Sequence, residues 1–379
     1  MPYDVIIAGA GPAGLSTALF LLNARPDLAG RVLVLEKKAF PRDKTCAGAL
    51  GGRGDSLLEN IGVRVEVPSI PISGLRFTVP RGFSERTPGP IGRTIRRLEY
   101  DAALAAQARA RGVLLVEGAP VCQIRVSRRE VEVTAGEEVY GGRVLVGADG
   151  LGSFVRRWLG LSFAPLKARV VEMDTERTEG DPPPHVLHFD VSDRGLNGYA
   201  WDFSTPLDGE VRMSRGVYGL VFPGHDPPDV ARLLDRRLES IGLDPGSHRK
   251  RQMLERGFEP HQPFAHGRVI LVGEAAGVDP ITGEGMAEAI QYGAVAGTYL
   301  AKKLVLGHPD FADWRTHLLR SPVGTDLFLR RWGAYLCFRY ARRPAELLFA
   351  RVPRVLDQAA RLFAGGRPGR KEDYASALD

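Results

Sequence analysis

The first 36 residues contain the pattern that most constrains the fold of this chain. A short apolar run, Tyr3–Ala8, is followed at positions 9–14 by GAGPAG, which reads G-x-G-x-x-G. A helical stretch and a second apolar run, RVLVL, then lead to Glu36, which lies 22 residues after Gly14. These segments predict a buried strand, a glycine-rich turn, a helix and a second parallel strand.

Each of the three positions in this turn requires glycine for a different physical reason. Gly9 permits the tight turn, Gly11 lets the backbone approach a pyrophosphate, and Gly14 lets the helix pack against the strand. The unpaired N–H groups and the positive dipole end of the helix favour bound phosphate. Pro12 and Ala13 belong to the same turn and are included in the predicted cofactor site.

The acid at the end of the second strand narrows the choice of dinucleotide. Glu36 can accept hydrogen bonds from the ribose hydroxyls of an adenosine, and Lys37 follows it directly. A 2′-phosphate would be repelled by this carboxylate. FAD or NAD therefore fits here better than NADP, whereas a glycine turn without this context could be an ordinary strand–helix connection.

The composition of the 379 residues is that of a soluble globular protein, with 44% hydrophobic and 25% charged residues. The net charge of +6 invites a nucleic-acid partner, but no aromatic-interleaved basic motif appears, so we expect none. The three cysteines fit neither a zinc site nor a disulfide framework, and the histidines are scattered, so we predict no metal site. A reducing cytoplasm is the simplest setting.

The order of patterns along the chain predicts an α/β protein with a discontinuous first domain. We assign residues 1–62, 96–161 and 262–306 to a Rossmann-like domain that binds the dinucleotide. Residues 63–95 and 162–261 read as short strands between turns and predict an inserted antiparallel-sheet substrate domain. Residues 307–379 are helical in pattern, with a polar tail after Gly365 that we expect to be mobile.

Three separated segments repeat one design, in which a buried strand delivers a glycine-rich turn. They lie at positions 9–14, 147–150 and 273–285. In an open α/β sheet such turns gather at the carboxyl ends of the strands, where ligands bind. Three turns argue for one extended ligand along this edge, which favours FAD over NAD.

Four motifs together resemble the superfamily of flavoprotein monooxygenases, of the para-hydroxybenzoate hydroxylase type, and geranylgeranyl reductases. They are DVIIAGAGPAGL at the start, RRLEYD at 96–101, VLVGADGLGSFVRR at 144–157 and VILVGEAAGVDPITGEGMAEAI at 269–290. The resemblance implies FAD as the cofactor, with Arg97 on its phosphates or ribityl chain and the backbone of Val121 at the adenine.

The same resemblance assigns roles in the second and third glycine turns. Asp149 and Gly150 would form an element shared by FAD and NAD(P)H. Glu274, after Gly273, would bind the ribityl chain, although the superfamily usually has Asp there. The residues expected near the flavin ring are Pro280, Gly283, Gly285 and Met286.

Two further segments resemble the geranylgeranyl reductase branch. KTCAG at 44–48 is similar to a K-x-C-G-G loop, with Ala47 departing from it, and GYAWDFS at 198–204 is similar to G-Y-x-W-x-F-P. Cys46 could donate a proton or orient substrate if its surroundings tune its pKa, or it could be a bystander. Tyr199 and Trp201 share one strand face and would form an apolar wall for a lipid chain, or simply core.

The C-terminal helices mix apolar and aromatic residues with many arginines. This pattern suits an anionic membrane surface, or else helices that pack on the FAD domain and keep a solvated basic face. We therefore expect a cytoplasmic protein that can associate with membranes peripherally. The arginines concerned are Arg330, Arg331, Arg339, Arg342, Arg343, Arg351, Arg354 and Arg361.

The resemblance implies an FAD-dependent oxidoreductase, and three hypotheses follow. The first is reduction of C=C bonds in an isoprenoid or other apolar substrate by hydride transfer from reduced flavin N5, with NAD(P)H or another carrier as reductant. The proton would come from water, Cys46 or a nearby tyrosine, and the expected catalytic residues are Cys46, Tyr199 and Trp201. The second is monooxygenation through a flavin hydroperoxide. The third is a prenyl-binding protein without chemistry. We expect a monomer or a homodimer.

Overall fold

The computed structural model describes residues 3–306 and 309–365, so the tail predicted to be mobile lies outside the described residues. Its strands are β1 Tyr3–Ala8, β2 Val32–Leu35, β3 Ala49–Gly51, β4 Ser69–Ile72, β5 Gly74–Val79, β6 Gly82–Arg86, β7 Gly92–Ile95, β8 Leu114–Val116, β9 Val121–Val126, β10 Val131–Ala135, β11 Glu138–Gly147, β12 Lys167–Thr175, β13 Val186–Asp190, β14 Gly198–Leu207, β15 Glu210–Val221, β16 Arg251–Arg256, β17 Ala265–His266 and β18 Val269–Leu271.

Ten α-helices lie within the described residues, and α8 continues into a π-helical turn at Tyr335–Tyr340. They are α1 Pro12–Ala24, α2 Gly52–Glu59, α3 Arg97–Ala110, α4 Phe154–Trp158, α5 Val230–Ser240, α6 Met286–Lys303, α7 Trp314–Arg320, α8 Pro322–Ala334, α9 Arg342–Arg351 and α10 Pro353–Ala364. None of the helices in this part of the chain is long and apolar enough to cross a membrane.

The first sheet has the strand order β17-β18-β11-β1-β2-β8, with β9 and β10 added to β11 as an antiparallel extension. Strand β1 pairs in parallel with β11 and β2, so that Ala8 faces Gly147 on one side and Leu35 on the other. Strand β18 continues the parallel arrangement next to β11. The strands that precede the three glycine turns therefore end at the same edge, as the sequence predicted.

Helix α6 packs directly along α1, and two glycines of α6 allow the close approach. A Cβ on Gly293 would lie 2.4 Å from the Cβ of Ser16, and one on Gly297 would lie 2.7 Å from the backbone nitrogen of Leu21. This packing fixes the N-terminal end of α6, which begins at Met286, over the edge where the glycine turns meet.

A second, seven-stranded sheet has the order β16-β12-β15-β14-β13-β5-β6 and is antiparallel except for the pair β13–β5. Strands β4 and β7 instead join β3 in a separate three-stranded sheet. Helices α9 and α10 pack against β5 and β6. The predicted fold class, a Rossmann-like domain with an antiparallel sheet and C-terminal helices, is confirmed.

Candidate functional site

A single continuous cavity of about 890 Å³ extends from the edge of the parallel sheet to the space between the seven-stranded sheet and the C-terminal helices. Most residues that the sequence singled out line its wall. These are Gly9, Gly11, Pro12, Ala13, Glu36, Lys37, Cys46, Ala47, Arg97, Val121, Asp149, Gly150, Tyr199, Trp201, Glu274, Gly283, Gly285 and Met286.

Three predicted residues lie behind this wall and shape it indirectly. A Cβ on Gly14 would lie 2.0 Å from the carbonyl oxygen of Gly9, and one on Gly273 would lie 2.5 Å from the Cβ of Ala13. Pro280 does not contact the cavity, and its carbonyl oxygen lies 3.3 Å from the hydroxyl of Tyr218. Its neighbours Ile281, Thr282 and Gly283 do line the cavity, and the place of Pro280 beside the flavin ring stays a prediction.

The first glycine turn has the geometry that a pyrophosphate needs. Gly9 has φ +103°, and a Cβ there would lie 2.4 Å from the carbonyl oxygen of Ala148. By contrast, no atom of the described chain lies within 4 Å of the position that a Cβ on Gly11 would take. The N-terminus of α1 therefore opens into the cavity with its backbone exposed to a ligand.

Glu36 lies at the end of β2, and its buried carboxylate organises the turn. Oε2 accepts a hydrogen bond from the backbone N–H of Ala10 at 2.9 Å, and Oε1 accepts one from Lys38 at 3.1 Å. The backbone N–H of Ala119 donates to the carbonyl of Glu36, which brings Val121 to this end of the cavity. The carboxylate thus borders the place where a ribose would lie.

Arg42 is a cavity residue that the sequence reasoning missed. Its guanidinium lies 3.3 Å from Glu36 Oε2, donates to Asp101 at 2.9 Å and donates to the carbonyl of Ala10 at 3.1 Å. Arg97, which we expected on the phosphates or the ribityl chain, is buried and forms a bidentate pair with Asp101 at 2.7 and 2.6 Å. Its position in the loop after the second strand could have indicated that Arg42 lies near the cofactor site.

Asp149, the acid of the second glycine turn, caps the N-terminus of α4. The carboxylate of Asp149 accepts hydrogen bonds from the backbone N–H groups of Phe154 at 2.6 Å and Val155 at 3.1 Å, and from the hydroxyl of Ser153. Burial raises the pKa of Asp149, while these bonds oppose the rise. Asp149 therefore holds the start of α4 against the turn, and the turn itself lines the cavity.

The third turn connects to the loop after β2. Oε2 of Glu274 lies 3.0 Å from Nζ of Lys44, a cavity residue of the KTCAG segment to which the sequence reasoning gave no role. Arg256 donates to the carbonyl oxygens of Glu274 and Leu151 at 2.9 and 2.6 Å and so ties the second turn to the third. All three glycine turns thus border one site.

Cys46 lines the cavity, with its Sγ 3.9 Å from Sδ of Met286. Burial is the main cause that raises the pKa of its thiol, so the sulfur is protonated near neutral pH. The backbone N–H of Cys46 donates to Oε1 of Glu172 at 3.0 Å. Burial also raises the pKa of Glu172 to about 7, although Arg251 at 3.1 Å opposes the rise.

The aromatic residues of β14 form the apolar wall beyond Cys46. Phe189 lies between Tyr199 and Phe203, at ring distances of 5.3 and 5.1 Å, and Tyr218 stacks on Tyr199 at 5.2 Å. The hydroxyl of Tyr199 donates to the carbonyl of Thr282. The hydroxyl groups of both tyrosines therefore form hydrogen bonds within the protein.

Trp201 completes this wall, and its indole nitrogen donates to Ser214 Oγ at 3.3 Å. Tyr199 and Trp201 belong to the packed core and also line the cavity, and a wall for a lipid chain stays a prediction. The hydroxyl of Tyr199 and the indole N–H of Trp201 both donate within the protein, and the catalytic role expected for the two residues stays a prediction.

Glu255 is an acid among the apolar residues of this wall. It lies on β16 two residues after Met253, and both face the cavity. Its Oε1 lies 3.5 Å from the hydroxyl of Tyr218. Burial, together with the charges of Glu274 and Asp279, raises the pKa of Glu255 well above its ordinary value, while Lys44 opposes the rise, so the buried site favours the protonated carboxyl. Its strand reads RQMLER, and this pattern contains no local signal that could have found it.

The far end of the cavity is closed by the C-terminal helices, through Phe338, Ala345, Leu356, Ala359 and Phe363. The basic surface expected from the sequence is smaller in the structure, because several of its arginines form ion pairs or hydrogen bonds with other segments of the chain. Arg330 pairs with Asp279 at 2.7 Å and Glu288 at 3.1 Å, and Arg331 pairs with Glu259 at 2.8 Å. Arg342 donates to main-chain carbonyls of residues 191–196.

Comparison with known proteins places this geometry in context. The sequence model of the family described as FAD binding domain matches residues 2–311. The chain is 30% identical over 319 residues to digeranylgeranylglycerophospholipid reductase 1 of Methanopyrus kandleri, covering 78% of this chain and 80% of the relative. It is 30% identical over 353 residues to menaquinone reductase of Mycobacterium tuberculosis, covering 88% and 83%.

The fold has a counterpart among solved structures. A geranylgeranyl bacteriochlorophyll reductase-like protein of Thermoplasma acidophilum superposes with a TM-score of 0.66 at 19% identity, and the match covers 99% of this chain and 95% of that one. At this identity the likeness concerns the fold.

Proposed function

The chain belongs to the FAD-dependent oxidoreductase family that includes geranylgeranyl reductases and flavoprotein monooxygenases, and from this premise we propose that it reduces carbon–carbon double bonds of an isoprenoid or comparable apolar substrate. The observation that carries the proposal is the continuity of one cavity. One end has the glycine turns and Glu36, and the other is apolar and aromatic. A dinucleotide and a lipid chain would meet near Cys46 and Gly283.

The residues present fit FAD. Gly11 leaves its side of the turn open, α1 directs its N-terminus there, and Glu36 and Glu274 place carboxylates at separated points of the same wall. When bound, FAD supplies two-electron redox chemistry, so that a double bond gains a hydride and a proton. The electrons would come from NAD(P)H or a small electron carrier.

The protein's contribution is to hold the substrate and to supply the proton. The rings of Phe189, Trp201 and Phe203 offer an apolar surface that excludes water from a bound chain. Burial raises the pKa of the Glu255 carboxyl and so favours its protonated form, and this carboxyl borders the cavity near Gly283, where a Cβ would lie 3.3 Å from Glu255 Oε2. We assign the proton to this carboxyl, with Tyr218 as its neighbour.

The relatives support a lipid substrate. One relative at 30% identity is named for a phospholipid with geranylgeranyl groups, and another is named for menaquinone. Residues of β14, of the π-helical turn and of α10 line the apolar end of the cavity, so this end is an extended surface. A flexible hydrocarbon chain suits such a surface better than a compact polar molecule does.

The test is an anaerobic incubation of the dithionite-reduced holoprotein with geranylgeranyl lipids, followed by mass spectrometry. We expect products that have gained two hydrogen atoms for each reduced bond. A product that has gained an oxygen atom, formed with NAD(P)H in air, would instead identify a monooxygenase. Unchanged lipid that stays bound to the FAD-containing protein under both conditions would identify a binding protein.

A further inference from the structure

The outer surface of the C-terminal helices carries an exposed apolar stripe. Along α8 and its π-helical turn, Phe328, Trp332, Leu336 and Tyr340 recur every four residues and are 40–72% exposed. Residues at this spacing lie on one helix face. We define the docking face as Phe328, Leu329, Trp332, Leu336, Tyr340, Leu347 and Leu348, which are all exposed large apolar side chains.

The inner surface of the same helices is the wall of the cavity. Cys337 and Phe338 belong to the π-helical turn, and Ala345 belongs to α9, and all three line the cavity. Leu336 and Tyr340, on the same turn, are 57% and 72% exposed. One helical layer therefore separates the apolar end of the cavity from the docking face.

The charges next to the docking face are positive. Arg339, Arg343 and Arg354 are exposed. The two acids between positions 327 and 365 are both used in ion pairs, Glu346 with Arg342 at 3.0 Å and Asp357 with Arg86 at 2.9 Å. Among the described residues none of these three arginines has an acidic partner, and Arg339 lies 5.9 Å over the ring of Tyr340. Exposed aromatic and aliphatic side chains beside such cations match the interface of a bilayer with anionic lipids.

We propose that the docking face binds the surface of an anionic phospholipid bilayer, and that the substrate chain passes from the bilayer through this helical layer into the cavity. The substrate route rests on the proposed function, whereas the binding does not. A second copy of the chain is a poorer occupant, because a twofold contact would bring this positively charged face against the same face of the other copy.

Vesicle co-sedimentation of the FAD-loaded protein tests the proposal. We expect pelleting with vesicles of phosphatidylcholine and phosphatidylglycerol, weaker pelleting with phosphatidylcholine alone, and a further loss in high salt. The double variant Trp332→Glu/Leu336→Glu should bind at least about tenfold more weakly. The matched control is Val139→Glu, because Val139 is 62% exposed on β11 and lies outside the docking face.

The outcomes separate this proposal from the proposed function. Equal pelleting of the double variant and the control, at equal flavin content, would overturn the docking face. A concentration-dependent dimer that the double variant abolishes, without vesicle binding, would assign the face to a second copy. If the double variant reduces a soluble short-chain isoprenoid normally but fails on vesicle-embedded lipid, docking serves substrate entry. If neither protein reduces either substrate but only the unaltered one pellets, docking stands and the proposed function fails.

Discussion

Lys44 and Glu274 are 230 positions apart, yet Nζ of the lysine lies 3.0 Å from Oε2 of the glutamate. The pair joins the loop after β2 to the third glycine turn across the cavity that we assign to FAD. Because the lysine side chain is 43% exposed, the ion pair itself contributes little to folding, under about 1 kcal/mol. The carboxylate therefore matters more to the ligand than to the fold.

The first prediction separates these two roles of Glu274. Glu274→Ala should lower FAD affinity several-fold more than Lys44→Gln does, because only the former removes the acceptor on the cavity wall. Both variants should unfold within about 1 kcal/mol of the parent apoprotein. Fluorescence titration with FAD and denaturant unfolding of the apoproteins provide the measurements. Equal FAD affinities of the two variants would contradict the role given to Glu274.

Two glycines of the first turn should respond to alanine in opposite ways. Gly14→Ala places a Cβ 2.0 Å from the carbonyl oxygen of Gly9, so the apoprotein should lose about 1–3 kcal/mol of stability. Gly11→Ala meets no atom of the described chain within 4 Å, so the apoprotein should keep its stability. Its methyl group would enter the space of the pyrophosphate, and FAD affinity should fall roughly tenfold or more.

The measurements for this pair are chemical denaturation without FAD and titration with FAD. A Gly11→Ala protein that binds FAD as tightly as the parent would show that no phosphate approaches this turn. The same result would remove the geometric basis for the cofactor site.

The parts of this site that could be predicted from the sequence are those whose residues are close together in the chain. The unit from β1 through α1 to Glu36 is contiguous, so periodicity and glycine spacing were enough to predict it. Arg42 and Glu255 could not be assigned in this way. Glu255 lies on β16, which pairs with β12, where Ala168 is its partner. Its approach to the cavity is therefore decided by tertiary structure.

The C-terminal arginines show the same limit. Sequence alone grouped Arg330 with Arg339 as one basic surface. In the structure Arg330 is surrounded by Asp279, Glu288 and Asp326, whereas Arg339 is exposed. Helical periodicity indicates that a helix is amphipathic, but it does not show which cations will meet buried acids from distant segments.

Glu172 should make the stability of the protein depend on pH. Its folded pKa of about 7 lies above the ordinary value of 4.5, so its contribution is fully present below pH 4.5 and is lost as the pH rises through 7. Glu172→Gln keeps the neutral shape and removes this loss. The variant should gain about 1–3 kcal/mol relative to the parent between pH 5 and pH 8.

Thermal unfolding of the two apoproteins across this pH range is the measurement. Parallel curves for parent and variant would show that Glu172 is already ionised in the folded state at pH 5. The control is Glu85→Gln, because Glu85 lies on β6 outside the cavity and pairs with Arg76 near the surface.

The far end of the cavity should set the length of chain that is accepted. Ala359 of α10 lines this end, so Ala359→Phe would fill it without touching the glycine turns. We expect unchanged FAD content and a rise in KM for long isoprenoid chains of at least about tenfold, with short chains little affected. A uniform loss for all chain lengths would indicate a damaged fold and would contradict this assignment.

Glu255 provides the most direct test of the chemistry. Glu255→Gln keeps the size of the side chain near Tyr218 but removes the proton held at the carboxyl, and general acids of this kind contribute roughly a hundredfold or more to rate. We expect normal FAD content, normal reduction of the bound FAD and strongly slowed reduction of the substrate. The parent's rate should fall as the pH rises through the elevated pKa of Glu255, and the variant should lose this dependence. Tyr218→Phe removes only the neighbouring hydroxyl, so its rate of substrate reduction should lie between those of the parent and Glu255→Gln. A Glu255→Gln protein with the parent's rate and pH profile would move the proton source to Cys46 or to water.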